Sequence, residues 1–264
     1  MQTTADSYRP LQSGVGASLK EQVYYNEQEA RDLLTGIVHC FWTLKTSSPL
    51  SKDFVYTVMP DACIDFVFDV TGMTRPIVMT PTVSIEALHL GNEFHYAGIR
   101  FKPGVLTNDI NVASLIGNHN DLGDLLAKKV NLRGVTLATA QTEHEHYAIL
   151  QKFVLELIDT HIVERNSFIE NVLGSMQDGL TVDEVAAKVG YSSRQLRRKV
   201  SEQTGYSPVQ LRRIIRFQSV LSSGGDYELR FADQSHLIKE FKAVTGVSYA
   251  NFANKFIDVR KVQS

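Results

Sequence analysis

The stretch from Leu180 to Pro208, LTVDEVAAKVGYSSRQLRRKVSEQTGYSP, constrains this chain more than any other. Thr181 is placed to cap a short helix in which Val182, Val185, Ala186 and Val189 recur at i, i+3, i+4 and i+7, a single buried stripe. Gly190 supplies the positive-φ residue that a tight helix–helix turn needs. Ser192 or Ser193 can then cap a second helix with two unlike faces. At about 100° per residue, Leu196 and Val200 fall within about 40° of each other, while Arg194, Arg197 and Arg198 cluster roughly 130° away. A helix, a glycine turn and a helix that is apolar on one side and basic on the other is the pattern of a helix-turn-helix, and it points to DNA.

The charge distribution agrees. The whole chain of 264 residues has a formal net charge of −2, but residues 179–264 hold 14 Lys+Arg against 8 Asp+Glu, a net of +6, which leaves −8 on the remainder. Within 188–216 there are eight basic residues and one acid, Glu202. An acidic N-terminal part joined to a basic C-terminal part predicts two domains, of which the second seeks a polyanion. The domains expected are 1–140, a sensor or oligomerisation unit; 141–178, connecting helices; and 179–264, the DNA-binding part. No run of about 18 apolar residues occurs, so no membrane span is expected. The N-terminus, MQTTADSYRPLQSG, lacks the pattern of a signal peptide. Cys40 and Cys63 read as buried small hydrophobes, which fits a reducing cytoplasm.

Residues 1–20 read as an arm, with Pro10, Gly14 and Gly16. From Asn26 to about Val38 the spacing of Ala30, Leu33, Leu34 and Ile37 predicts a helix capped by Asn26. Trp42 follows in a short extended segment, where core packing is expected of it. Residues 54–104 carry the β signals: FVYTVM and CIDFVFDV flank the turn Pro60-Asp61-Ala62, and PIVM, VSIEALHL and FHYAGIRF follow between Gly and Pro residues. This spacing predicts an antiparallel sheet or small barrel. Asp65 and Asp69 share a face of their strand, with the solvated face expected and a ligand pocket the alternative. A second helical region is expected from about Asn108 to Lys129, broken by Gly117 and Gly123. Residues 142–163 form an amphipathic helix whose band of Ile149, Leu150, Phe153, Val154, Leu157 and Ile158 suits either a dimer seam or packing within its own domain. SFIENVLGSMQDG is a further helix, closed by Gly179.

Nothing nominates an enzyme. His39, His89, His95 and His119 are scattered, His144 and His146 do not share a helical face, and no G-x-S-x-G, P-loop or G-x-G-x-x-G is present. No catalytic residue, cofactor or metal is expected.

Pro208 opens a long helix, PVQLRRIIRFQSVL, with Leu211, Ile214, Ile215, Phe217 and Leu221 on one side and Arg212, Arg213 and Arg216 on the other. After SSGGDYELR comes another helical segment, RFADQSHLIKEFKAVTGVSYANF, in which Leu237, Phe241 and Val244 share a face opposite Ser235, Lys239 and Lys242. GYSSRQLRRKVSEQTGYSP and RFADQSHLIKEFKAVTGVSY parallel each other in their aromatic, polar cap, apolar pair, Thr-Gly and Ser.

On these residues the chain resembles the AraC/XylS family of bacterial transcription regulators. The resemblance rests on Val185-Ala186-Ala187, Gly190-Tyr191-Ser192, Arg194-Gln195-Leu196-Arg197-Arg198, Gly205-Tyr206-Ser207-Pro208, Arg216-Phe217-Gln218, Asp233-Gln234-Ser235-His236-Leu237, Glu240-Phe241-Lys242 and Thr245-Gly246. The turn Met59-Pro60-Asp61 and the run Gly98-Ile99-Arg100-Phe101-Lys102-Pro103-Gly104 resemble a sensor domain carried by some members. The resemblance implies two helix-turn-helix units reading successive major grooves about 34 Å apart. One departure stands out: only Ser222 to Ala232 separates the long helix from DQSHL, too few residues for a loop plus a full supporting helix, and Arg230 occupies the place of the family's glycine before Phe231.

The fold expected is thus an α+β N-terminal domain, an antiparallel sheet or small barrel with helices, followed by an all-α C-terminal domain with two helix-turn-helix units, the second shortened. Ser193, Arg194, Arg197 and Arg198 match the positions at which the family contacts DNA, Arg212, Arg213 and Arg216 read as phosphate anchors, and Gln234, Ser235 and Lys239 are the matching positions of the second unit. Arg100 is expected to pair with Asp65 or Asp69. The implied partners are double-stranded promoter DNA, RNA polymerase, a small-molecule effector and a second copy of the chain, with no membrane. The competing reading is a protein-interaction regulator that has lost its second DNA-reading unit and titrates a partner.

Overall fold

The computed structural model describes residues 8–12, 22–71, 76–107, 109–116, 137–222, 234–248 and 252. Its N-terminal part is built on a five-stranded antiparallel sheet in the order β1-β2-β7-β4-β5: β1 Val23–Glu29, β2 Val38–Thr46, β4 Ile64–Asp69, β5 Ile77–Met79 and β7 His95–Phe101. β3 Val55–Val58 and β6 Glu86–His89 pair separately as a two-stranded ribbon. Alternation sorts the side chains. On β4, Ile64, Phe66 and Phe68 are buried and Asp65, Val67 and Asp69 point the other way. On β7, Ala97, Ile99 and Phe101 join them on the first face, while Tyr96 and Arg100 lie on the second.

The first face is covered by helix α1, Glu143–Asp159. Thr142 and Glu145 close a capping box at its start, and Leu150, Phe153, Val154 and Leu157 sit in one core with Phe41, Phe66 and Ile99. Ile149 and Ile158 pack against the same core. The broad apolar band of this helix is therefore taken up within its own domain, and of that helix only Leu155 is a large exposed hydrophobic.

Helix α2, Ser167–Gln177, turns to a different core. Ile169, Val172, Leu173 and Met176 pack with Val185 and Ala186 of α3, Val182–Lys188, with Leu196 and Val200 of α4, Ser193–Thr204, and with Leu211, Ile214 and Ile215 of α5, Pro208–Ser222. Helix α6, Gln234–Thr245, lays Phe241 and Val244 on Phe217 and Val220 of α5. The N-terminal part contributes Met59 and Ile85 to that cluster, and the Ile85 amide donates to the Val244 carbonyl at 3.3 Å. Helix α6 is thus supported by the sheet domain; residues 223–233, which carry the shortened segment, lie outside the described residues, as do residues 117–136, the greater part of the second expected helical region. The arm is described only over 8–12.

Two expectations are corrected. Residues 26–38 do not form a helix. Val23 to Glu29 pair residue by residue with β2, a 3-10 turn spans Asp32–Leu34, and β2 starts at Val38. The helical spacing of Ala30, Leu33, Leu34 and Ile37 is not one buried face, because Leu33 is 85% exposed. Ladder bonds to β2 and the β-favouring Val-Tyr-Tyr before Asn26 outweigh the local pattern. Asp65, in turn, is not on a solvated sheet face: the β3–β6 ribbon and residues 79–82 fold over it and enclose a cavity.

Candidate functional site

The basic surface is formed by a short local geometry. Thr181 caps α3 and Ser192 caps α4, each with a reciprocal capping box to Glu184 and Gln195. Between them Gly190 adopts φ +75°, and Gly205 closes α4 at φ +78°. Leu196 and Val200 are completely buried, which turns Arg194, Arg197 and Arg198 outward, all exposed. Among the described residues none of the three arginines enters an ion pair. The neighbouring lysines are engaged: Lys188 pairs with Asp178 at 3.6 Å, and Lys199 Nζ lies over the Phe168 and Tyr191 rings at 5.7 and 5.5 Å. Ser193 is half-buried and its hydroxyl donates to Asp183 Oδ1 at 2.6 Å, which braces α4 to α3.

The far end of α4 is held by the other domain. A Cβ on Gly205 would lie 2.7 Å from Ile116 Cδ1, and Asn166 Nδ2 bridges the Gln203 side chain at 3.0 Å and the Gly104 carbonyl at 2.7 Å. Contacts at the C-terminal end leave the arginine-bearing N-terminal half open. On α5, Arg212, Arg213 and Arg216 are half-buried rather than fully exposed. On α6, Lys239 is exposed; Gln234 and Ser235 fall in its first turn, and their side chains lie outside the described residues.

A second site was not legible as such in the sequence. Between the five-stranded sheet and the β3–β6 ribbon lies a cavity of about 330 Å³. Its walls include the rings of Tyr25, Trp42, Tyr56 and Tyr96, and its polar groups include Asp61, Asp65, Thr82 and Arg100. Arg100, 4% exposed, donates from Nη1 to Glu27 at 3.0 Å, and its Nε lies 3.3 Å from Asp65 and 3.5 Å from Asp61. The expected pairing of Arg100 with Asp65 is therefore present. Trp42 donates from Nε1 to Asp65 at 2.7 Å, so the indole is both core and cavity wall. Its ring lies across Gly98: a Cβ there would stand 2.3 Å from it. Burial pushes the Asp65 carboxyl up to about 6, against the pull of Arg100, and raises Asp61 in the same way. The signal that could have found the site is the alternation of Tyr25 and Glu27 with Tyr24 and Asn26, hidden by reading that segment as a helix.

Glu27, His39 and Cys40 bring three ligand atoms within 4.8 Å of one another. Arg100 Nη1 sits on Glu27 and 4.0 Å from Cys40 Sγ, so a positive charge already occupies that neighbourhood. Burial, with Arg100 next, lowers His39 to about 4 and raises the Cys40 thiol. This chemistry suits a guanidinium-centred cluster, not a metal ion.

Comparison with known proteins bears on both halves. Residues 174–213 match the bacterial regulatory helix-turn-helix proteins of the AraC family, a span that holds α3, α4 and the start of α5. The chain carries an AraC-family DNA-binding unit. It is accordingly a DNA-binding transcription regulator with an added N-terminal domain. That domain, over residues 27–119, matches DUF6597, a domain of unknown function. Among solved structures the chain is similar to ToxT from Vibrio cholerae, at 13% identity and a TM-score of 0.38, over 90% of this chain and 99% of that one. It is also similar to an apo lysine-to-alanine variant of ToxT from another Vibrio cholerae strain, at 12% identity and a TM-score of 0.36, over 89% and 97%. Superpositions at these scores are loose. No curated protein matches in sequence. Among the described residues, no helix of this chain is long and apolar enough to cross a membrane.

Proposed function

We propose that the protein is a sequence-specific regulator that places the N-terminal half of α4 in the major groove of promoter DNA. The observation that carries this reading is the uncompensated trio Arg194, Arg197 and Arg198, exposed on one face while the opposite face and the far end of the helix are packed. Guanidinium groups suit the O6/N7 edge of guanine, where a good bidentate pair discriminates by about 1–3 kcal/mol. Ser193, braced by Asp183, orients the helix start. Arg212, Arg213 and Arg216 serve as phosphate contacts that set register. Gln234, Ser235 and Lys239 form the second reading surface, supported from behind by Met59 and Ile85. Residues 1–140 act as the regulatory domain and 141–178 as the connecting helices, of which α1 packs on the sheet of the regulatory domain and α2 in the helical core. The protein does no chemistry of its own and acts in the cytoplasm.

Selection of bound fragments from genomic DNA, followed by footprinting, tests the reading. Protection over about two successive major grooves is expected of two working units. Protection of one groove would mean that α6 does not read DNA. No protected fragment would overturn the proposal in favour of a regulator that titrates a protein partner.

A further inference from the structure

The cavity in the N-terminal domain has a composition that selects among ligands. Four aromatic rings, Tyr25, Trp42, Tyr56 and Tyr96, stand on its walls, and the faces of such rings attract cations. Its charged lining is unbalanced: Asp61 and Asp65 face a single guanidinium, Arg100, which is further claimed by Glu27 from behind. One guanidinium among three carboxylates leaves the cluster short of positive charge. The Arg100 side chain already donates to carboxylates from Nε and Nη1, and these offset its charge. A further polar group waits in the wall. Thr82 is 92% buried by its 8% exposure, lines the cavity, and its Oγ1 has no hydrogen-bond partner among the described residues. An unpartnered buried hydroxyl costs stability unless something bonds to it.

We propose that this cavity is the binding site of a small organic cation, an ammonium carried on an apolar body, with Asp61 and Asp65 as its counter-charges, the aromatic walls around it and Thr82 Oγ1 as its hydrogen-bonding partner. The volume of about 330 Å³ suits an organic molecule and exceeds what a bare metal ion needs. The site is also wired to the DNA-binding part: the carbonyl of the same Thr82 accepts the Tyr206 hydroxyl, and the Pro60 carbonyl, next to Asp61, accepts Gln218 Nε2 of α5 at 2.8 Å. A ligand seated on Asp61 and Thr82 therefore bears on Thr82 itself and on the neighbour of Pro60, Thr82 and Pro60 being the two residues whose carbonyls the helical domain grips. The inference rests on the cavity and stands apart from the DNA reading.

Trp42 is the chain's sole tryptophan and lies in the cavity wall, so its fluorescence reports occupancy of this site directly. The full chain is titrated with three molecules that share a phenylethyl body: 2-phenylethylammonium, 2-phenylethanol and 3-phenylpropanoate. The cation is expected to give a saturable change with affinity about tenfold or more above the alcohol, and the carboxylate to bind weakest. Asp65→Asn keeps the shape and is expected to reduce the cation's advantage over the alcohol to about threefold or less. If that variant does not fold, Asp61→Asn carries the same test. Thr82→Val is expected to weaken cation and alcohol alike. Equal binding of cation and alcohol, tightest binding of the carboxylate, no saturable response to any of the three, or an undiminished preference in the Asp→Asn variant would overturn the proposal.

Discussion

The Tyr206 hydroxyl, on the turn that closes α4, donates a 2.5 Å hydrogen bond to the Thr82 carbonyl in the wall of the N-terminal cavity. Both residues are buried, Tyr206 completely, and they stand 124 positions apart in the chain. Together with Gln218, which is 1% exposed and bonds Leu11 and Pro60, this contact fixes the helical domain on the sheet domain through buried polar groups.

Tyr206→Phe removes the donor and leaves the Thr82 carbonyl buried without its partner. The expected cost is about 1–3 kcal/mol in chemical denaturation, with the helix content of the native protein unchanged by circular dichroism. A variant as stable as the parent would mean that water or another donor replaces the contact.

Gly98→Ala places a methyl where the Trp42 ring now lies, 2.3 Å from it. The indole must move, and its hydrogen bond to Asp65 goes with it. Overpacking of this kind is expected to cost about 1–3 kcal/mol and to shift the Trp42 emission. An unshifted spectrum at unchanged stability contradicts the packing described.

Affinity for 2-phenylethylammonium should rise with pH. Asp65 titrates at about 6 because burial opposes its charge, and Asp61 is raised for the same reason, so both accumulate protons as the medium becomes mildly acidic. A cation binds the ionised forms. Binding is therefore weak below the Asp65 titration and tightens through pH 6 towards neutrality, while the amine keeps its charge throughout. The groups that face these carboxylates are Arg100 from β7, Glu27 and Tyr25 from β1, Cys40 and Trp42 from β2, Tyr56 from β3 and Cys63 beside the turn. Burial holds Cys40, Cys63, Tyr25 and Tyr56 protonated far above this range; His89 of β6 also lines the cavity, and measuring in a His89→Gln background isolates the contribution of the aspartates. Isothermal titration at several pH values reads it; a flat or falling profile counts against the assignment.

Lys199 and the arginines of α4 should separate by salt dependence. Lys199 is seated on Phe168 and Tyr191, whereas Arg198 is exposed and unpaired among the described residues. Arg198→Ala is expected to reduce the slope of log affinity against log salt by about one, and Lys199→Ala to leave the slope nearly unchanged while lowering stability by about 0.5–1 kcal/mol. Equal slopes for the two variants would show that ring contact does not withhold Lys199 from the backbone.

The sequence was most informative where structure is decided locally. Thr181, Gly190, Ser192 and Pro208 each act within a few residues of themselves, and α3, α4 and α5 begin and end where those residues place them. Residues 26–38 carry a helical spacing but do not follow it, because their fate depends on β2, a partner whose register no local pattern contains. The same holds for the cavity. Asp65 and Arg100 were recognisable as a pair, but the ribbon that covers them is assembled from β3 and β6, strands that are separated in the chain by β4 and β5. The half-buried state of Arg212, Arg213 and Arg216 was hidden for a related reason, since helical spacing gives the face of a residue without showing what packs beside it.

Arg197→Ala decides whether α4 reads DNA through its exposed arginines. Affinity is measured by fluorescence anisotropy on a fragment recovered by genomic selection and on a scrambled duplex, with circular dichroism as the check on folding. The expected result is a loss of about 1–3 kcal/mol on the selected fragment, roughly 5- to 150-fold, with a much smaller loss on the scrambled duplex and an unchanged fold. Parental affinity and parental discrimination between the two duplexes in a folded Arg197→Ala protein would contradict it.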